Sequence, residues 1–132
     1  MDIRLKRVYE PTSPDDGFRV LIDRLWPRGV AKERAHIDLW AKQVAPSAEL
    51  RRLWHADVDG HSAAGFARFT AAYDAELEEP PATAALDELI NAARTHSRLT
   101  LVYAAKDEAV NHAVVLREAL LKRAREQPRC SS

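Results

Sequence analysis

Two apolar runs constrain the fold of this chain more than any other feature of its sequence. The run VLI at residues 20–22 and the run LTLVYAA at residues 99–105 are apolar almost throughout and rich in β-branched residues. Continuous runs of this kind are typical of strands that are buried on both faces of a sheet. Because helical patterns occupy much of the segment between them, we predict parallel strands that are joined through helices.

Weaker patterns predict the neighbouring elements. Partial alternation over residues 3–8 indicates a first strand with one exposed side. Apolar residues at helical spacing indicate helices over residues 33–43 and 61–79, and Ser47 stands where the N-cap of a further short helix belongs.

Two later helices complete the expected architecture. Thr83 and Asp107 each precede an apolar helical stripe, so each is predicted to cap a helix N-terminus. Three strands are few for a parallel sheet, so we allow for one more strand that has no clear pattern. We therefore expect a single compact α/β domain over residues 1–127, in which a small, mainly parallel sheet packs with several helices. Residues 128–132 are expected to form a disordered tail.

Composition excludes several classes of protein. The 132 residues include 20 basic and 20 acidic side chains, so the chain lacks the excess positive charge that is usual in proteins that bind duplex nucleic acid. No apolar run is long enough to span a membrane, and the N-terminus lacks the apolar segment of a secretory signal, so a cytoplasmic location is expected. Cys130 is the one cysteine, which excludes a disulfide framework and an internal thiol nucleophile.

The two buried strands each end in a loop of functional residue types. The first continues as DRLWPRG at residues 23–29, and the second ends as AKD at residues 105–107. Ligands of open α/β sheets bind beyond the carboxyl ends of the strands, and parallel neighbours would bring the two loops together. The sequence therefore predicts a cleft for a small anionic ligand at this edge of the sheet.

Each of these loops supplies candidate ligand contacts. Arg24 and Arg28 suit a phosphate or carboxylate, and the indole of Trp26 suits a flat ring. Lys106 and a helix N-terminus at Asp107 would both favour an anion, and Asn111 follows in the same segment. In the alternative interpretation, Trp26 fills the core and an arginine stacks on it or pairs with Asp23, while Asp107 only caps the helix and Lys106 is solvated.

Three residues are candidates for proton transfer. Asp23 lies at a strand end, and His55 and His112 can titrate near neutral pH. His112 is expected inside the last helix on its core side, where a structural role is the alternative interpretation.

A cluster of histidines and aspartates gives a weaker, metal-binding alternative. His55, Asp57, Asp59 and His61 alternate, so an extended segment would place all four on one side. Their spacing matches no standard metal motif, and a polar loop between two helices is the other interpretation. A metal or haem site that uses His55, His61 or His112 remains a third functional hypothesis, and the sequence implies no particular cofactor.

Three motifs resemble those of the YeaO-like family of small bacterial proteins, a domain of unknown function (488). The motifs are GFRVLIDRLWPRG at residues 17–29, the APS, LR and LWHAD elements within residues 45–57, and LTLVYAAKDEAVNHAVVL at residues 99–116. They occur in the family's order, and the resemblance implies a compact bacterial α/β domain. The matching positions are largely polar, which favours a site over a pure packing pattern.

The chain departs from that family at two places. Residues 60–62 read GHS where members often carry an aromatic residue. Distant relatives can carry a cysteine and a glutamate in the loop that matches Lys106 and Asp107, and this chain has no such cysteine. The resemblance therefore implies no thiol chemistry here.

Two classes of function are compatible with these residues. The first is an anion-binding protein, with or without enzymatic activity, whose ligand is a small molecule, a nucleotide or single-stranded nucleic acid. The second is a non-enzymatic binding or regulatory module, since no known catalytic motif is present.

Overall fold

A four-stranded parallel sheet forms the centre of the protein. The computed structural model describes residues 1–127. The strands, in chain order, are β1 (Asp2–Arg7), β2 (Phe18–Leu21), β3 (Leu39–Trp40) and β4 (Arg98–Tyr103). Their spatial order in the sheet is β1-β4-β2-β3, and every neighbouring pair is parallel. The predicted α/β class with a small parallel sheet is confirmed.

Helices connect the later strands. They are α1 (Lys32–Ala35), α2 (Ala48–Ala56), α3 (Ala63–Leu77), α4 (Ala82–His96) and α5 (His112–Glu126). Short 3₁₀ turns at Pro14–Asp16 and Lys42–Val44 complete the connections. None of the helices in residues 1–127 is both long enough and apolar enough to cross a membrane. The predicted tail at 128–132 lies outside the described residues.

The predicted helix over residues 33–43 is wrong. Only Lys32–Ala35 is helical, and Leu39–Trp40 forms the additional strand, β3. Its backbone pairs with β2 through the contacts Val20↔Leu39 and Leu21↔Trp40. A strand of two residues has no periodicity, so only its long-range partner defines it.

Two predicted helix caps are also wrong. Helix α4 begins at Ala82, directly after Pro81, and Thr83 lies inside its first turn. Helix α5 is capped by Asn111, whose side chain accepts a hydrogen bond from the Val114 N–H. Asp107 stands several residues earlier. Asp and Asn are equally good N-caps, so local sequence does not decide between them.

The two faces of the sheet are covered differently. Helices pack on one face, where Leu101 of β4 joins Tyr73, Leu89 and Leu116 from α3, α4 and α5 in the main core. The other face carries a smaller apolar cluster of Val8, Leu21 and Val102. Trp40 of β3 and several loop residues, among them Trp26, cover that cluster.

An ionic cluster extends the loop-covered face. The Asp16 carboxylate accepts hydrogen bonds from Lys6 Nζ at 3.0 Å and from the Arg19 guanidinium at 2.5 Å. Arg19 also donates to the carbonyl of Ala35. Because Asp16 and Arg19 are buried, these pairs fix the β1–β2 connection on the sheet.

Candidate functional site

The sheet brings the two polar loops together. Strands β2 and β4 are neighbours, with Leu21 opposite Val102, and both loops leave at the carboxyl edge. Asp23 Oδ2 accepts a hydrogen bond from the Ala104 N–H at 3.1 Å, which ties the β2 loop to the end of β4. The pairing of β2 with β4 and the Asp23 carboxylate thus hold together two loops that are far apart in the sequence.

Asp23 and His112 form an acid–imidazole pair at this edge. His112 Nε2 lies 3.2 Å from Asp23 Oδ1 and 3.1 Å from the Ile22 carbonyl oxygen. Among residues 1–127, the buried Asp23 Oδ1 has no hydrogen-bond partner, although its 3.2 Å separation from His112 Nε2 is an ion-pair distance. Both side chains are mostly buried, at 13% and 16% exposed, so this contact is poorly screened by water.

The start of α5 positions His112. His112 is the first residue of that helix rather than an interior one, because the cap is Asn111 and not Asp107. Asn111 is buried and also donates from Nδ2 to the Asp107 carbonyl oxygen at 2.7 Å. The Tyr73 ring packs edge-on against the His112 ring, with 6.4 Å between the ring centres. Burial raises the pKa of Tyr73 well above its ordinary value, so the phenol stays neutral.

Asp107 organises the loop before this helix. Its carboxylate accepts hydrogen bonds from the N–H groups of Ala109 and Val110 at 2.9 and 3.0 Å. These two bonds, together with the positive field of nearby His61, lower the pKa of Asp107. The role of Asp107 in this structure is therefore to hold a tight turn, which leaves the neighbouring Lys106 exposed.

Basic side chains surround the edge without acidic partners. In residues 1–127, exposed Arg24, Arg28, Lys42 and Lys106 have no carboxylate within ion-pair distance. Arg24 donates only to the Pro46 carbonyl oxygen, at 3.3 Å.

Basic residues elsewhere on the sheet behave differently. Upstream of the carboxyl edge, each basic strand residue lies against a carboxylate; these residues are Arg4, Lys6, Arg19 and Arg98. Within the strands, positive charge is therefore paired upstream of the carboxyl edge. Among the described residues, exposed Arg52 and Lys122 on helices also have no carboxylate within ion-pair distance.

Trp26 is half-buried and packs against the smaller apolar cluster. Its indole N–H donates to the Val30 carbonyl oxygen at 2.7 Å, and its ring meets Trp40 edge-on at 5.5 Å. The Lys32 ammonium lies 5.8 Å from the centre of the same ring. These contacts agree with the alternative interpretation in which Trp26 fills the core. Its predicted stacking on a ligand stays a prediction.

Sequence reasoning missed Trp40 as part of the site. Its indole N–H donates to the backbone carbonyl oxygen of Asp23 at 2.7 Å, which fixes the turn after β2. The Lys42 ammonium sits 4.0 Å from the centre of the Trp40 ring. Because β3 has no periodic signal, only the tertiary structure shows these contacts.

The predicted histidine–aspartate cluster does not converge. Asp57 instead pairs with Arg68 at 2.9 Å and accepts from the Asp59 N–H, and the hydrogen bond from Arg68 is the main cause of its lowered pKa. Within residues 1–127, no three histidine, cysteine, aspartate or glutamate side chains come together as a metal site.

The two histidines of that cluster both follow Trp54 in the sequence and contact its ring. His55 and His61 stack on Trp54, with 6.3 and 5.5 Å between the ring centres. Among the described residues, neither histidine forms a hydrogen bond or ion pair with Asp23 or His112. The structure therefore does not bring His55 together with the other two predicted proton-transfer residues.

Comparison with known proteins assigns the family. Residues 2–132 match the family described as "Inactive DUF488-N3 subclade". The chain is 41% identical over 120 residues to the uncharacterized protein YeaO of Escherichia coli, covering 91% of this chain and 97% of that protein. The chain belongs to the YeaO-like DUF488 family.

Other relatives agree with the assignment. An uncharacterized protein of Mycobacterium bovis and one of Mycobacterium tuberculosis are each 41% identical over 118 residues, covering 89% of this chain and 92% of the relative. No solved structure gives a significant match. The predicted resemblance of this YeaO-like chain is confirmed.

Proposed function

We propose that this YeaO-like protein binds a small oxyanionic ligand, a phosphate or a carboxylate, at the carboxyl edge of its sheet. The observation that carries the proposal is the unpaired basic charge of Arg24, Arg28, Lys42 and Lys106 at the one edge where open parallel sheets bind ligands. Exposed cations on neighbouring loops attract an anion without losing an internal partner.

The Asp23–His112 pair supplies a recognition group in the same place. Both residues are held by backbone contacts, to Ala104 N–H and to the Ile22 carbonyl oxygen, so their geometry exists before a ligand arrives. Pre-organised polar groups give orientation and specificity in small-molecule sites. The subclade's description as inactive supports binding without turnover.

An enzyme is the second candidate, and the same pair favours it. An imidazole oriented by a carboxylate can act as a general acid or base near neutral pH. In that case His112 would move the proton and Asp23 would orient the ring, with a small phosphorylated molecule or nucleotide as substrate.

The test is a thermal-shift and calorimetric screen of inorganic phosphate, carboxylates and mononucleotides. We expect Lys106→Ala and Arg24→Ala to weaken binding several-fold each, as expected for loss of a charge-assisted contact. Arg125→Ala is the matched control, because Arg125 is exposed in the last turn of α5, far along the helix from His112.

Two results separate the candidates. Binding that survives both substitutions unchanged would reject the carboxyl edge as the site. Turnover of a phosphate ester that disappears in His112→Ala would favour the enzyme over the binding protein.

A further inference from the structure

The contacts of His112 determine which of its ring nitrogens carries hydrogen. Nε2 faces two oxygen acceptors, the Ile22 carbonyl at 3.1 Å and the Asp23 carboxylate at 3.2 Å. The Ile22 partner is a backbone carbonyl oxygen, which accepts a hydrogen bond and cannot donate one. The neutral imidazole is therefore held in the form with hydrogen on Nε2.

The other ring nitrogen, Nδ1, points away from these partners. It forms no hydrogen bond within residues 1–127, and the one side-chain nitrogen or oxygen there that is both buried and unpartnered is Asp23 Oδ1. Nδ1 therefore keeps part of the 13% exposure of the His112 side chain. With hydrogen fixed on Nε2, a neutral His112 presents a lone pair at the edge of the sheet, as a hydrogen-bond acceptor.

We propose that the site selects oxyanions that carry a hydrogen atom, so that hydrogen phosphate binds in preference to sulfate. This inference rests on the proposed function and names the ligand feature that the site recognises. Lys106 and Arg24 attract any oxyanion, but the His112 Nδ1 lone pair accepts a hydrogen bond only from an anion that has an O–H group.

The two anions form a matched pair of probes. At about pH 8, above the ordinary pKa of histidine, inorganic phosphate is chiefly the hydrogen phosphate dianion. Sulfate has the same charge and the same tetrahedral shape, but it has no hydrogen. A sulfate oxygen would face the Nδ1 lone pair, and an unmatched acceptor of this kind lowers affinity by about tenfold or more.

The Ile22 carbonyl oxygen sets this preference, because it is the hydrogen-bond partner that keeps hydrogen on His112 Nε2. In His112→Ala, the imidazole and its Nδ1 acceptor are removed, while Lys106 and Arg24 remain to attract either anion. Sulfate and hydrogen phosphate should then bind with affinities within about threefold of each other.

The experiment measures both affinities by calorimetry at about pH 8 and reads the His112 tautomer from imidazole ¹⁵N chemical shifts. The wild type should favour phosphate by about tenfold or more, with hydrogen on Nε2. His112→Ala should lose the preference while it keeps binding of both anions. His96→Ala is the matched control, because His96 is exposed at the end of α4, just before the opposite end of β4, and it should keep both the preference and the His112 tautomer.

Several outcomes would overturn the inference. Equal binding of the two anions by the wild type would reject the selection while leaving the anion site intact. Binding of neither anion would reject a phosphate as the ligand of the proposed function as well. If His112→Ala does not fold, the wild-type tautomer decides, since hydrogen on Nδ1 contradicts the mechanism.

Discussion

Replacing Asp16 with alanine tests how much the ionic cluster stabilises the loop-covered face of the sheet. Asp16 accepts from Lys6 Nζ, from the Arg19 guanidinium and from the Ser13 N–H. The Arg19 side chain is only 4% exposed, whereas that of Lys6 is 19% exposed and can turn toward water. Loss of the carboxylate would therefore leave the Arg19 guanidinium as the buried charge without a counter-ion.

The expected cost follows from this burial. Removing one partner of a buried ion pair leaves an uncompensated charge, which costs about 3 to 5 kcal/mol. Arg19 keeps two hydrogen bonds to the Ala35 carbonyl oxygen, so the lower end applies. We expect Asp16→Ala to lower the free energy of unfolding by about 3 kcal/mol and the Tm by roughly 10 °C.

Urea denaturation measures this change, and a double variant is its control. If the orphaned charge is the cause, Asp16→Ala combined with Arg19→Met should recover at least half of the loss, because the buried guanidinium is gone. The two variants should have equal m-values, which would show that the unfolded state is unchanged.

The pH dependence of the free energy of unfolding is an independent test of the role of Asp16. Burial alone would raise the pKa of Asp16, but hydrogen bonds from Lys6, Ser13 and Arg19 lower it overall. A lowered pKa in the folded state stabilises the protein above the unfolded value, near about 4, and this contribution is lost as the pH falls through the folded value. The stability difference between wild type and Asp16→Ala should thus be full at neutral pH and shrink in acid.

The reasoning fails if the difference at neutral pH is below about 1 kcal/mol, the value of an exposed pair. It also fails if the difference does not change as Asp16 is protonated. Either result would mean that the cluster is solvated in solution and that Arg19 has other compensation.

Three further changes test the fold and the site. Gly17→Ala should be far more destabilising than Gly29→Ala in thermal denaturation: both glycines have positive φ, but an added Cβ at Gly17 would lie 2.5 Å from the Arg98 carbonyl oxygen, whereas at Gly29 nothing lies within 4 Å. Asn111→Ala should cost about 1 to 2 kcal/mol in chemical denaturation, because it removes the cap of α5, and an unchanged midpoint would contradict that role. Trp26→Ala should lower stability by about 2 kcal/mol or more even without ligand, whereas a loss confined to ligand binding would show that the ring serves the site and not the core.

Sequence patterns predicted the elements with continuous signals and missed those defined by distant partners. The apolar runs at residues 20–22 and 99–105 found β2 and β4, and their parallel pairing follows from the intervening helices. Strand β3 escaped because two residues, Leu39 and Trp40, carry no period and are defined only by pairing with β2. The cap of α5 was misplaced because Asp107 and Asn111 have equal local preference, and the fold uses both, one for a turn and one for the helix.

The candidate site likewise combines residues that local sequence predicts with a contact that only the fold defines. Asp23 and His112 were each recognisable from sequence as proton-transfer candidates, but they are far apart in the chain, and no pattern reports their contact. The contact depends on β2 and β4 being neighbours and on α5 starting at His112 rather than earlier. His55 has the same residue type and ends instead beside Trp54, so residue type alone does not define the site.

The groups at the carboxyl edge differ in rigidity, and this difference predicts different roles in ligand binding. Asp23 is fixed by the Ala104 N–H and His112 by the Ile22 carbonyl, whereas Lys106 and Arg24 are long, exposed side chains. Flexible exposed cations attract anions of every shape, and salt screens that attraction. A fixed hydrogen-bonding group distinguishes ligands by their donors and acceptors, and salt affects it little. Added salt should therefore weaken phosphate and sulfate binding in parallel, while the ratio of their affinities, set by His112, stays constant.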